Sequence, residues 1–242
     1  MSEERSADAA PGLRQQLRTN GRAIGAIVVV SAGLLGLLLL LHHAGGVPIS
    51  DLTRDVNAIA GVPLYAGLLS QIGILLWAAA AAICLFSAAV LPKDERRRPL
   101  RQFFVASGLL TLLLGLDDAF QLHEALLPTL GVPDAVMYVG IAGRVVFFGI
   151  AETALLVGYV GLVVLYLVRF GPFIRATDYV LLWIALLFFG ISMALDVLDP
   201  SGINPFLWED GTKLVGIVSW LVYFARTSAT SVSHHLAPRG AT

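Results

Sequence analysis

Charge is what this sequence has least of. Lys, Arg, Asp and Glu make up 14% of the 242 residues, where a soluble domain usually carries about 25%. So few charges cannot cover a water-facing surface of ordinary size. The formal net charge is −1, which leaves no basic field for nucleic acid to bind, and no nucleic-acid partner is expected. The single cysteine, Cys84, lies inside an apolar run. It excludes an intrachain disulfide and reads as a packing residue. No HExxH is present, and the tandem pairs His42-His43 and His234-His235 lack the spacing that sets two ligands on one helix face. Phosphate-cradling glycine loops and nucleophile elbows are absent too.

Apolar residues are abundant: 57% of the chain, with a mean hydropathy of +0.80. Several runs reach the roughly 20 residues that a helix needs to cross a bilayer. The expected fold is all-α, a polytopic integral membrane bundle of six transmembrane helices. They fall at about 23–42, 64–91, 101–122, 137–168, 177–198 and 206–225. The first apolar run is longer than the core of a signal peptide and reads as a retained helix. Pro92, Gly131-Val132-Pro133, Gly171-Pro172 and Asp199-Pro200 punctuate the runs, as residues that end helices and open turns do. The chain divides into a tail at 1–22, a membrane domain at 23–226 and a second tail at 227–242.

Six crossings place both termini on one side. Thirteen of the 16 Lys and Arg residues flank that side, among them Arg14, Arg18, Arg22, Arg96, Arg97, Arg98, Arg169 and Arg175. Only Arg54, Arg144 and Lys213 fall on the other. Positive residues are retained in the cytoplasm, so both termini are expected there. In a bacterium this is the plasma (inner) membrane.

The stretch Asp117-Asp118-Ala119-Phe120-Gln121-Leu122-His123-Glu124 stands out. No charged residue precedes it between Gln102 and Leu116. At about 1.5 Å per residue, Asp117 lies about 24 Å from Arg101, short of a hydrocarbon core of about 30 Å. The same reckoning puts Lys213 about 20 Å from Arg226. The topology brings other polar groups to that level, in the outer third of the bilayer: His42 and His43, Arg144 and Glu152, Asp196 and Asp199, and Glu209, Asp210 and Lys213. Asp117, Gln121 and Glu124 share one helical stripe, and Lys213 lies one turn from both Glu209 and Asp210. Ionisable groups at such depth usually face a bundle interior and carry function.

Eight carboxylates (Asp117, Asp118, Glu124, Glu152, Asp196, Asp199, Glu209 and Asp210) stand against two fixed cations, Arg144 and Lys213. Like charges this close cannot all remain ionised without counter-ions. Oxygen ligands suit Mg²⁺, Ca²⁺ or Mn²⁺, and a histidine would shift the choice towards Zn²⁺. The leading expectation is a metal-assisted, hydrolase-like enzyme of the outer face acting on a lipid or other membrane-soluble substrate. Asp117, Asp118, Glu124, Asp196, Glu209 and Asp210 would hold the divalent metal. Asp117, Asp118 or Glu152 would serve as base, and Lys213 and Arg144 would stabilise developing negative charge. The alternatives are a proton- or cation-coupled carrier or sensor, and a structural membrane subunit. The cytoplasmic half offers little beyond Ser31, Ser107 and Thr111 as polar lining, which describes a cup with a dry floor.

Overall fold

The computed structural model describes residues 18, 21–53, 56–63, 65–122, 126, 129, 131, 136–141, 144–198 and 205–236. They fall into two compact units, one ending at Ala66 and one beginning at Gly67. The first unit contains α1 (Gly21–Gly45), α2 (Ile49–Thr53) and α3 (Val56–Ala60). His42 helps to finish α1: its Nδ1 lies 2.8 Å from the carbonyl of Val47. Gly46 follows with φ 66°, a left-handed position that costs glycine little.

The second unit contains α4 (Leu68–Val90), α5 (Arg98–Phe120), strands β1 (Val136–Ile141) and β2 (Arg144–Gly149), then α6 (Ile150–Arg175), α7 (Tyr179–Leu198) and α8 (Pro205–Leu236). Alanine-rich α4 ends where Pro92 forces Leu91 into an extended conformation. Asp94 then starts α5: its Oδ1 accepts from the Arg97 amide at 2.8 Å, and proline sits in the first turn. Neighbouring helices run antiparallel along the chain. The exception is the pair α4 and α8, which run side by side in the same direction: Gly73 meets Ile217, and Trp77 meets Trp220. α4 lies between α5 and α8, α7 packs on the far side of α8, and α6 packs on α5.

Small residues set these approaches. A Cβ on Gly115 would lie 2.8 Å from Cβ of Trp77, and one on Gly216 would lie 2.6 Å from the Phe189 ring. In lipid, helices associate through such close packing and through hydrogen bonds, because the surrounding tails are as apolar as the helices. Trp77, Phe189 and Trp220 interlock at mid-bundle. Phe103 meets Tyr166, Phe170, Phe173 and Phe224 nearer the arginine-rich end. Some of the polar groups here pair internally. Trp220 Nε1 donates to Thr111 Oγ1 at 2.9 Å, and the hydroxyls of Ser107 and Tyr166 lie 2.7 Å apart.

Among the described residues, three helices are long and apolar enough to cross a membrane: α4, α5 and the Thr153–Arg175 part of α6. Ser31–Gly45 and Tyr179–Leu195 are shorter apolar stretches. Large apolar side chains face outward all along the bundle, including Phe86, Leu109, Val157, Leu165, Val168, Val180 and Leu187. That surface is compatible with a membrane protein.

The fold departs from expectation in three places. The helix expected from 137 starts at Ile150, because Val136–Ile141 and Arg144–Gly149 pair as antiparallel strands, with Ile141 opposite Arg144. The segment is dense in valine and aromatic residues and interrupted by glycine, a composition that favours extended backbone. α5 stops at Phe120, where Gln121 turns left-handed with φ 49°. α8 continues to Leu236, past its expected end near 225.

Gly216→Ala should therefore destabilise the protein by about 1–3 kcal/mol through overpacking against Phe189. Gly158→Ala, with nothing within 4 Å of the new Cβ, should be neutral or slightly stabilising, as a helix-interior glycine replaced by alanine usually is. Thermal unfolding in detergent distinguishes the two, and equal losses would refute the close-packing account.

Candidate functional site

The end of the second unit away from the arginine-rich end is built from the C-terminal turn of α5 and the starts of α4 and α8. Asp118 leaves α5 towards α8 and forms a salt bridge with Lys213. The Asp118 side chain keeps only 8% of its exposure and that of Lys213 keeps 35%, so the carboxylate is interior and the ammonium sits nearer the rim. α4 makes room for the pair. Gly73 has no side chain to intrude, and a Cβ there would lie 3.6 Å from Asp118 Oδ2 and 3.2 Å from Ile217. Ser70, Gly73, Asp118, Asp210 and Lys213 border a crevice of about 10 Å³, roughly the volume that admits one water molecule.

Asp117 is buried and faces a different helix. Tyr159 of α6 donates its hydroxyl proton to Asp117 Oδ1 at 3.0 Å. Successive helix residues are about 100° apart around the axis, so two adjacent aspartates serve two neighbours. One ties α5 to α6 and the other ties it to α8. Of the expected stripe of Asp117, Gln121 and Glu124, Gln121 lies beyond the end of α5, in a left-handed conformation, and Glu124 lies outside the described residues.

Lys213 had two acids within reach on its own helix, and its salt bridge crosses to α5 instead. Asp210 borders the same crevice. Glu209 is half-buried one turn before Lys213, and its carbonyl accepts from Thr212 Oγ1 at 2.9 Å. Both acids lie in the second turn of α8.

The remaining candidates are placed by their elements. Arg144 is on β2 and Glu152 is in the first turn of α6, so they do not share a helix as expected. Asp196 is near the end of α7. His123, Glu124 and Asp199 lie outside the described residues. His42 and His43 belong to the first unit, their rings 4.8 Å apart. Among the described residues, no three His, Cys, Asp or Glu side chains gather as a metal-holding group.

Tyr159 escaped the sequence reading. Its signal was the seven-residue spacing to Tyr166, which puts both hydroxyls on one face of α6. Each meets a polar side chain of α5, Asp117 in one case and Ser107 in the other.

The salt bridge makes a definite energetic prediction. Removing one partner of an interior pair strands the other charge, whereas replacing both partners with apolar groups is often neutral. Lys213→Met or Asp118→Asn alone should cost about 3 kcal/mol, the low end for interior pairs because Lys213 is partly open. The double variant should regain most of that. Additive losses in thermal unfolding would show that the pair does not couple α5 to α8.

Comparison with known proteins gives a family and no activity. Neither a curated protein nor a solved structure matches the chain. Residues 22–227 match the family described as "Domain of unknown function (DUF8692)". That span takes in α1, both glycine-packed interfaces and the Asp118–Lys213 pair, and the chain belongs to this family.

Proposed function

We propose that the chain is an inner-membrane protein of six crossings with cytoplasmic termini, and that its outer end is a cation-responsive site acting as a sensor. The observation that carries this reading is the salt bridge of Asp118 with Lys213. A lysine ammonium occupies the place of a counter-cation on an interior carboxylate, at the junction of α4, α5 and α8. Asp118 and Asp210 border the crevice that Lys213 also lines, two carboxylates beside one ammonium. Carboxylates gathered so closely favour uptake of a further cation.

Cation entry competes with Lys213. A cation bound beside Asp118 displaces the ammonium, and α8 then loses its electrostatic tie to α5. A ligand shifts a conformational equilibrium by its differential affinity for the two states, and this tie supplies the difference. The ring cluster of Trp77, Phe189 and Trp220 lies below. A conducting path needs polar lining along its length, so this floor favours sensing over carriage.

The metal-assisted enzyme is the second reading, supported by the same excess of carboxylate. It needs a ligand set that draws on Glu124 or Asp196 as well. Asp118 is engaged by Lys213 and Asp117 meets Tyr159, so no catalytic step is built on a metal here.

Purified protein in detergent tests the proposal. Midpoint of unfolding and tryptophan emission would be followed with added Na⁺, Mg²⁺, Ca²⁺, Mn²⁺ or Zn²⁺. A response that disappears in Asp118→Asn is expected. Flat curves for every cation would end the reading. A fluorescent-protein fusion after Leu236 should be bright, because the C-terminus is cytoplasmic; a dark but membrane-inserted fusion would reverse the orientation.

A further inference from the structure

The opposite end of the bundle carries a groove that the outer site does not use. It lies between α5 and α6, has a volume of about 520 Å³, and is bordered by Arg98, Arg101, Arg169, Val105, Leu109 and Phe170. Among the described residues, no carboxylate borders it. The basic residues are clustered at one end. On α5, Arg98, Arg101, Gln102, Val105 and Leu109 follow one helical face, with cations first and apolar side chains after.

Two of the arginines are positioned by neighbours. Arg101 Nε donates to the carbonyl of Ala88 at 3.1 Å, and the Arg169 guanidinium lies 5.2 Å from the centre of the Phe170 ring. Val105 and Leu109 are exposed along the wall. The stripe from Arg98 to Leu109 rises about 16 Å, close to the roughly 15 Å that one leaflet contributes to a hydrocarbon core. Its polarity also matches one leaflet, with charge at the surface and an apolar track towards the midplane. The arginines belong to the side assigned to the cytoplasm by the positive-inside rule.

We infer that this groove binds an anionic phospholipid of the cytoplasmic leaflet, with the headgroup phosphate on Arg98, Arg101 and Arg169 and an acyl chain along Val105, Leu109 and Phe170. Arginine forks suit phosphate oxygens, and basic pockets between membrane helices on this side hold such headgroups. The inference rests on the membrane reading alone, so an inert outer site would leave it intact.

The test uses the full chain in detergent, with phosphatidylglycerol, phosphatidylcholine or inorganic phosphate added separately. Thermal unfolding and native mass spectrometry are the readouts. Phosphatidylglycerol should raise the midpoint and survive as a one-to-one adduct, while the other two do neither. Affinity should fall about fivefold for each arginine changed to glutamine. Leu109→Trp, which fills the wall and leaves the arginines in place, should also abolish the adduct. It decides the matter if Arg101→Gln with Arg169→Gln fails to fold. Equal retention of phosphatidylcholine, equal stabilisation by free phosphate, or an unchanged adduct in Leu109→Trp would overturn the inference.

Discussion

The salt bridge between Lys213 and Asp118 joins helices that chain order keeps far apart. α5 and α8 both pack on α4, and the two side chains meet beside Gly73 in its second turn. A charge pair in a low-dielectric setting tolerates little misplacement, because desolvation is repaid only by good geometry. The register of α8 along α4 is therefore tied to the position of Asp118. The packing below follows that register: Ile217 over Gly73, Trp220 beside Trp77, and the Trp220 indole on Thr111.

Much of this was legible in the residues. The apolar runs, the prolines that end them and the segregation of arginine to one side are compositional facts, and most of the helices follow from them. Asp118 and Lys213 were both singled out, and their common level follows from counting residues along each helix. Which of the acids Lys213 takes was not readable. Rise per residue fixes depth but says nothing of which helices are neighbours, and Glu209 and Asp210 offered Lys213 nearer partners on its own helix. The same limit hid the divergence of Asp117 from Asp118, which only the position of α6 reveals.

The paired strands Val136–Ile141 and Arg144–Gly149 illustrate a different limit. Apolar runs of this kind do not distinguish strand from buried helix by periodicity. Length favoured a helix continuous with α6. The density of β-branched and aromatic residues, with Gly140 and Gly149 between them, was the contrary signal. Tyr159 was hidden for a third reason: a tyrosine in an apolar run counts as core by its ring, and its hydroxyl acquires meaning only once a partner is known.

Cys84 has a practical side. It is the chain's sole thiol and is fully buried among the packed residues of α4. A water-soluble maleimide cannot reach it while the bundle is closed. The native chain thus presents a silent background for site-directed labelling, and the appearance of reactivity becomes a clock for opening of the bundle at α4.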